Sequence, residues 1–245
     1  YYRNNIGSMI NLLGAMQEAG VRNMVFSSSC TVYGDNPALP VREDQPLGPA
    51  ASPYGTTKQV GEQLLRDFCL HTGFNGVSLR YFNPAGAHES GLIGEYPLNP
   101  PSNLVPVITR AAVRKSPVTV FGNDYDTPDG TCIRDYIHVT DVAKAHVAAL
   151  EQLVRKENVA GNYSVYNIGS GNGQSVLEVI TAFEKASGLR LAVNIGDRRP
   201  GDLPKIWADT DLAEKELGWK TVSNLEEIVK SAWEWEMRLK TILTV

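Results

Sequence analysis

Tyr54 and Lys58 are the two residues of this sequence whose types and spacing are best suited to proton transfer. Residues four apart share one face of a helix, so the lysine ammonium would lie close to the phenol. A tyrosine with a pKa of ~10 is a poor base at neutral pH. A positive charge at roughly 5 Å, with an effective dielectric of ~20, favours the phenolate by about 3 kcal/mol, which is about two pKa units.

A second positive charge, such as an oxidised nicotinamide ring, would bring the pKa of Tyr54 near ~7, where a general base works best. The same Tyr-x-x-x-Lys spacing also occurs on exposed helices, where it has no chemical role. A run of serines upstream, Ser27 to Ser29, favours the catalytic interpretation.

The serines end a short apolar segment, Met24–Phe26, which is typical of a buried parallel strand. In open α/β sheets, ligands bind at the carboxyl ends of such strands. Further along, Ser52 as N-cap and Pro53 at the first helical position predict the start of a helix. That helix would carry Tyr54 and Lys58 together.

Helices and strands alternate along the chain, which indicates an α/β protein with a doubly wound parallel sheet. Periodicity predicts helices over 4–19, 53–71, 104–115, 142–156, 176–187, 210–217 and 224–239, and strands over 24–28, 77–82, 118–121, 134–139, 164–168, 191–195 and 206–208. Asn83–Gly86 is predicted to break the second strand, and Thr140-Asp141 to cap the fourth helix. A helix followed at once by a buried parallel strand implies an earlier strand, so we interpret the sequence as a fragment.

Gly169, Gly171 and Gly173 follow a predicted strand and precede a helix, as in a dinucleotide-binding loop. In Gly-x-Gly-x-x-Gly the third glycine would fall at Gln174, and no ribose-binding acid stands about 20 residues further on. Both a nucleotide loop and a structural turn are compatible with this segment, and its spacing favours the turn.

The composition is that of an ordinary globular protein, with 245 residues, 42% hydrophobic and 20% charged. The net charge of -4 gives no indication of nucleic-acid or membrane binding. The three cysteines are scattered, and no ligand spacing predicts a metal site. No apolar run approaches the ~20 residues of a membrane span.

Ser29, Tyr54 and Lys58 together resemble the Ser…Tyr-x-x-x-Lys signature of the extended short-chain dehydrogenase/reductase superfamily. Within it, segments 93–106 and 121–130 resemble the UDP-glucose 4-epimerase family, and the likeness covers essentially the whole chain. It implies a doubly wound, Rossmann-like parallel sheet with a smaller α/β substrate-binding domain. Residues 1–83 would be the C-terminal part of the NAD-binding domain. Residues 84–245 would form mainly the UDP-sugar domain, except that segments around 134–170 would return to the NAD-binding domain. The family's glycine-rich phosphate loop would precede residue 1.

The resemblance also implies roles for individual residues. Ser29, Tyr54 and Lys58 would be catalytic, and Tyr54 and Lys58 would also contact NAD together with Asn4, Ser27, Ser28, Tyr81 and Pro84. Arg134 and Arg199 would bind the diphosphate, and Asp202 the uridine ribose, although two surface ion pairs would explain the same pattern. The other substrate contacts, besides Ser29 and Tyr54, would be Asn83, Asn103, Leu104, Thr119, Val120, Phe121 and the pocket-size residue Ile206.

The activity implied is NAD-dependent, reversible epimerisation at C4 of UDP-glucose and UDP-galactose in galactose metabolism. Tyr54 would act as the base of a reaction that passes through a 4-keto sugar. Sugar-nucleotide dehydratases carry acids where this chain has Cys30 and Thr31. Another nucleotide-sugar enzyme, such as a UDP-N-acetylglucosamine 4-epimerase or a decarboxylase, and a non-catalytic NAD- or sugar-sensing protein remain alternatives. The family further implies a cytoplasmic homodimer, formed through the helices following Gln17 and Tyr54.

Overall fold

A computed structural model describes residues 1–35, 37–155 and 160–243 of the chain. Its helices are α1 (Ser8–Ala19), α2 (Pro53–Thr72), α3 (Leu104–Arg114), α4 (Val139–Arg155), α5 (Val176–Ser187), α6 (Asp211–Leu217) and α7 (Leu225–Leu243). Its strands are β1 (Asn23–Ser29), β2 (Asn75–Tyr81), β3 (Asn83–Ala85), β4 (Val118–Phe121), β5 (Ile133–His138), β6 (Tyr163–Ile168), β7 (Gly173–Ser175), β8 (Val193–Gly196) and β9 (Lys205–Ile206). These elements form two compact units.

Unit 1 consists of residues 1–82, 143–169 and 208–220. Its sheet is parallel, with the strand order β1-β2-β6. Met9, Leu13 and Met16 lie on one face of α1 and join a buried cluster with Leu65 of α2 and Phe74. Parallel strands covered by helices confirm the predicted doubly wound α/β architecture.

The start and the end of α2 are encoded locally. The Ser52 side chain accepts a hydrogen bond from the amide of Gly55, and Pro53 occupies the first helical turn. Gly73 ends the helix in the left-handed conformation, at φ 73°. The predicted helix is therefore confirmed, and its first turn carries Tyr54.

Unit 2 consists of residues 83–142, 170–207 and 221–245, within the limits of the described chain. Strand β5 is central, since it pairs with β3 and β9 in parallel and with β7 in the antiparallel direction. Strands β4 and β8 form a separate parallel pair. Helices α3, α5 and α7 supply the core, in which Ile108, Phe183 and Ile228 are almost completely buried.

Two boundaries differ from the prediction. Residues 83–85 do not simply break the second strand, because they pair with 136–138 as β3. Strand β3 lies at the end of the strand order, so one of its edges pairs with no further strand of the described chain. A proline, which has no backbone N–H, is tolerated at such an edge. Residues 208–220 also join unit 1, whereas the sequence indicated only the segments around 134–170.

Helix α4 begins at Val139, earlier than predicted. The Thr140 amide donates to Nδ1 of His138 at 3.1 Å, while the Asp141 carboxylate accepts from Thr221, Val222 and Ser223 instead of capping the helix. The predicted helix end at Lys156 lies outside the described residues.

The glycine-rich segment is a structural turn. The Asp135 carboxylate accepts hydrogen bonds from the amides of Ser170 and Gly171 and from the Ser170 hydroxyl, at 2.6–3.1 Å. The amides that a nucleotide phosphate would need thus donate to a protein carboxylate. This agrees with the interpretation as a structural turn, which the glycine spacing favoured.

Within the described part of the chain, no helix combines the length and apolar character that crossing a bilayer requires.

Candidate active site

The carboxyl end of β1 and the first turns of α2 bring together the three residues of the predicted catalytic set. The Ser29 side chain lies close enough to the Tyr54 phenol to lower its pKa. Ser29 also accepts hydrogen bonds from the amide and the hydroxyl of Thr31, at 3.3 and 3.1 Å. Lys58 lies with its Nζ atom 5.4 Å from the centre of the Tyr54 ring. The arrangement places a phenol, a hydroxyl and an ammonium at the edge of the sheet where ligands bind in this fold class.

The Lys58 ammonium points to the backbone and not to the phenol oxygen. Its Nζ atom donates to the carbonyl of Ser27 at 2.7 Å and lies 5.2 Å from the centre of the Phe26 ring. An ammonium has three N–H groups, and the hydrogen bond described within unit 1 uses one of them. The donor set therefore fits a further ligand rich in hydroxyl groups, such as the ribose of a dinucleotide.

The pKa values correct the electrostatic prediction. Burial raises the pKa of Tyr54, with a smaller increase from nearby Tyr81, while the hydrogen bond to Ser29 lowers it in part. Burial lowers the pKa of Lys58. The expected lowering of the Tyr54 pKa by Lys58 is wrong for the free protein, because desolvation outweighs an ammonium directed at a carbonyl. Tyr54 is therefore a neutral phenol at pH 7 until another positive charge arrives.

The predicted cofactor residues in unit 1 differ in their availability. Ser27 faces α4, where its hydroxyl is 3.1 Å from Nε2 of His146, and the Tyr81 ring lies 6.1 Å from the same imidazole. Asn4 is exposed, in the short π-helical segment Arg3–Gly7 that precedes α1. Ser28 is fully buried and donates to Glu62, so only its backbone is available for a cofactor. Strand alternation turns the Ser28 side chain to the other face of the sheet, so the predicted cofactor contact of Ser28 stays a prediction for its backbone alone.

Unit 2 brings together the predicted diphosphate-binding residues. Arg199 donates to both carboxylate oxygens of Asp202, at 2.8 and 3.3 Å, and an Arg134 nitrogen lies 3.5 Å from the same carboxylate. Arg134 also donates to the carbonyl of Leu203 at 2.7 Å. The Arg199 guanidinium lies 5.1 Å from the centre of the Phe121 ring. Two guanidinium groups with one carboxylate retain one positive charge, which suits a diphosphate.

The other predicted substrate residues lie on separate elements of unit 2. Ile206 pairs with Arg134 in the register of β9 and β5 and is only 4% exposed. In β4 the Phe121 side chain is 42% exposed, whereas Val120 is 1% exposed and packs in the core. A side-chain contact by Val120 is therefore excluded, because only alternate residues of a strand face outward. The other substrate residues are Thr119, exposed on β4; Asn83, half-buried on β3; Asn103, the N-cap residue of α3; and Leu104, at its first position. Pro84, predicted to contact the cofactor, is half-buried beside Asn83 on β3.

Three residues that contact the strand tip, Ser27 to Ser29, were missed by the sequence analysis. Thr31 was considered only as a replacement for an acid, although it donates to Ser29. His146 contacts Ser27. Glu62 continues the i, i+4 series of Tyr54 and Lys58 on α2, and this spacing was the signal that would have identified it.

Residues 1–169 match the NAD dependent epimerase/dehydratase family, and the chain belongs to this family. The UDP-glucose 4-epimerase of Erwinia amylovora is 48% identical over 238 residues, which are 96% of this chain and 69% of that protein. The corresponding enzyme of Bacillus subtilis is 49% identical over 240 residues, with the same shares of both chains. The resemblance to UDP-glucose 4-epimerases is thereby confirmed.

Solved structures give the same result. The UDP-glucose 4-epimerase of Stenotrophomonas maltophila, with bound NAD and formylated UDP-arabinopyranose, is 47% identical, with a TM-score of 0.94 over 99% of this chain and 71% of that one. The enzyme of Bifidobacterium longum, in complex with NAD+ and UDP, is 47% identical, with a TM-score of 0.91 over 97% of this chain and 70% of that one. These similarities confirm the Rossmann-like fold class.

Proposed function

We propose that this protein interconverts UDP-glucose and UDP-galactose by NAD-dependent epimerisation at C4 of the sugar. The observation that carries the proposal is that Ser29, Tyr54 and the anchored Lys58 lie together at the carboxyl end of β1 and the first turns of α2. Relatives that share 46–49% identity with the chain and are named UDP-glucose 4-epimerases support the same activity. The reaction would serve galactose metabolism in the cytoplasm.

Each residue of the catalytic set has a proposed part in the reaction. Tyr54 takes the proton of the 4-hydroxyl group as that carbon is oxidised, and returns it when the ketone is reduced. Ser29 donates a hydrogen bond to the reacting oxygen. Lys58, held by the Ser27 carbonyl, binds ribose hydroxyls of the cofactor. When bound, NAD supplies the hydride acceptor at C4 and the positive charge that lowers the raised pKa of Tyr54.

The nucleotide would be anchored by the unit 2 cluster, with Arg134 and Arg199 on the diphosphate and Asp202 on the uridine ribose. Ser27, Asn4, Tyr81, Pro84 and the backbone of Ser28 would contact the cofactor. The flat Phe121 side chain and the neighbouring Thr119 would flank the uracil. Asn83, Asn103 and Leu104 would contact the remainder of the substrate. A tight hold on the diphosphate with few sugar contacts lets the 4-keto sugar turn its other face to the same hydride.

An alternative substrate is UDP-N-acetylglucosamine. The UDP-Glc/GlcNAc 4-epimerase of Campylobacter jejuni is 40% identical to this chain, with a TM-score of 0.78. Ile206 is intermediate in size between the bulky residue that would exclude an N-acetyl group and a small one that would admit it. We therefore expect activity on UDP-glucose and UDP-galactose, and lower activity on the N-acetylated sugars. Steady-state kinetics on both substrates test this, and equal kcat/KM values would show that Ile206 does not restrict the pocket.

The direct test of the function is conversion of UDP-galactose by the intact protein with NAD in D2O, followed by proton NMR. We expect UDP-glucose to form and to retain its original hydrogen at C4, because the same hydride returns to the carbon. Lack of conversion, or deuterium at C4, would contradict the proposed reaction.

We also propose that the protein is a homodimer formed through α1, which contains Gln17, and α2. Ile10 and Leu12 on α1 and Leu70 on α2 are about half exposed, as apolar residues of an interface are in a single subunit. Sedimentation velocity at micromolar concentration should show twice the monomer mass. Replacement of Ile10 by Glu should produce monomers, and a dimer unaffected by this change would contradict the proposed interface.

A further inference from the structure

A buried ion pair lies directly under the tip of β1, on the face opposite the Ser27 hydroxyl. Arg80 donates to both carboxylate oxygens of Glu62, at 2.9 and 2.6 Å, and each residue is 5% exposed. The Ser28 hydroxyl donates to the same carboxylate at 2.5 Å and is completely buried. Ser28 and Arg80 are direct partners in the register of β1 and β2. One carboxylate on α2 thus binds side chains from two adjacent strands.

This carboxylate belongs to the helix that carries the catalytic pair. Glu62 follows Lys58 by four residues and Tyr54 by eight, so all three share one side of α2. Ser28 stands between Ser27, whose carbonyl binds Lys58, and Ser29, whose side chain lies close enough to Tyr54 to lower its pKa. The ion pair therefore contacts the same strand tip as the catalytic residues do.

The contact between α2 and β1 is close all along this stretch. A Cβ atom on Gly61 would lie 2.5 Å from the tip of the Phe26 ring, so any larger residue there would require the ring or the helix to shift. Arg80 continues the buried network to the Tyr33 hydroxyl at 3.0 Å, and Tyr33 donates to Asn167 of β6 at 2.6 Å. Hydrogen bonds to a buried, charged carboxylate are strong and directional.

We propose that Glu62, held by Ser28 and Arg80, is a positioning residue that fixes the height of α2 along β1 and hence the contact of Tyr54 with Ser29. The positioning role itself does not depend on the proposed function. Only the expected change in kcat rests on it. Without the Ser28 contact, α2 remains paired with β2 through Arg80 and keeps the Lys58 bond to the Ser27 carbonyl, but it loses the bond between Glu62 and the strand tip. Small displacements of a catalytic group are costly, because the reaction needs near-contact geometry.

The test compares Ser28→Ala with Ser78→Ala in the intact protein. Ser78 is also fully buried, lies on neighbouring β2, and has a side-chain hydrogen bond of 2.8 Å to Tyr163 and not to Glu62. Both variants lose one buried hydroxyl, so both thermal midpoints should fall, that of S28A further because its bond is to a carboxylate. With S28A we expect kcat to fall about tenfold and KM to change less than about twofold. With S78A we expect both constants to stay within about twofold of the parent.

A readout that needs no activity is the Cζ resonance of Tyr54 in protein labelled with ¹³C at that tyrosine carbon, assigned by its loss in Tyr54→Phe. S28A should shift this resonance and S78A should not, and Ser28→Cys, with similar volume and a weaker donor, should give a smaller shift. If S28A fails to fold, S28C replaces it in the comparison. Equal effects of S28A and S78A, or an unmoved Tyr54 resonance, would overturn the inference. A shifted resonance in a protein without epimerase activity would support the positioning role and refute the proposed function.

Discussion

Arg199 and Arg198 are neighbours of the same type in different surroundings. Arg199 contacts Asp202 and the Phe121 ring, and its side chain is half exposed. Arg198 is bound by the carboxylate and the backbone carbonyl of Asp124, at 2.7 and 2.6 Å, and stacks over Tyr125. Only Arg199 shares a carboxylate with Arg134, and we therefore assign the diphosphate to it.

The pair supplies a matched experiment on nucleotide binding. Arg199→Lys retains the charge but loses the planar fork that binds phosphate oxygens in pairs. We expect UDP to bind about tenfold more weakly, a loss of about 1.4 kcal/mol, when measured by isothermal titration calorimetry. Arg198→Lys should change the dissociation constant less than about threefold. If R198K weakens binding as much as R199K, the assignment of the two arginines is wrong.

At the residue scale, the structure brings Ser29, Tyr54 and Lys58 together as their types and spacing predicted, and their catalytic role stays a prediction. The electrostatics of the set could not be predicted in the same way. Whether Lys58 points to the phenol or to the Ser27 carbonyl depends on its rotamer and on burial, and neither is a property of the spacing. Burial of Ser28 and Val120 depends likewise on which strand face meets a helix.

At the scale of elements, the contact of α2 with β1 depends on one glycine. Gly61 faces the Phe26 ring, whereas Gly14 of α1 would have no atom within 4 Å of an added Cβ. Gly61→Ala should therefore reduce the free energy of unfolding by about 1–3 kcal/mol through overpacking, and should lower activity as α2 moves away. Gly14→Ala should increase the free energy of unfolding by about 0.5–1 kcal/mol, because alanine is the better helix former.

Urea unfolding followed by circular dichroism measures both changes. The same sign for both variants would show that helix propensity, and not the approach of α2 to β1, determines the outcome at Gly61.

Local signals predicted these elements well wherever the signal and its partner lie in one segment. The Ser52 cap and the Gly73 terminus of α2 are of this kind. The start of α4 was missed because Asp141 is used by residues 221–223, and β3 was missed because its partner strand is about 50 residues away. Contacts this distant in the chain leave no periodic pattern in the sequence.

For the molecule as a whole, buried tyrosines set an alkaline limit to stability. Burial raises the pKa of Tyr33 to about 12 and that of Tyr166 to about 12. In the unfolded chain both ionise near ~10, so below that pH their contribution is fully present, and it is lost as the pH rises towards 12. At pH 11 the ionisation of each tyrosine in the unfolded chain should lower the free energy of unfolding by about 1.4 kcal/mol relative to its value well below pH ~10.

Urea unfolding at pH 9 and pH 11 measures this loss. In Tyr166→Phe the free energy of unfolding should differ less between pH 9 and pH 11, by about 1.4 kcal/mol, because the Tyr166 phenol is no longer there to ionise. An unchanged pH difference in this variant would contradict the role given to Tyr166.

The division of the chain into units was the least predictable feature. Residues 143–169 and 208–220 join residues 1–82 because β6 pairs with β2, and Ala208 forms a bridge with Val41. Apolar patterns identify such segments as strands but do not specify their partners. The resemblance to the UDP-glucose 4-epimerase family implied a return of the segments around 134–170, whereas residues 134–142 belong to unit 2, and the return of residues 208–220 emerges only from the three-dimensional contacts.

Turnover of UDP-galactose by Tyr54→Phe, compared with Tyr163→Phe, tests most directly whether Tyr54 transfers the proton. Both changes remove the hydroxyl of a partly buried tyrosine near a serine, Ser29 in one case and Ser78, at 2.8 Å, in the other. We predict that Y54F lowers kcat by about 10²-fold or more, as loss of an acid–base group does, while Y163F stays within about threefold of the parent. A Y54F variant that keeps its kcat within threefold would contradict the assignment.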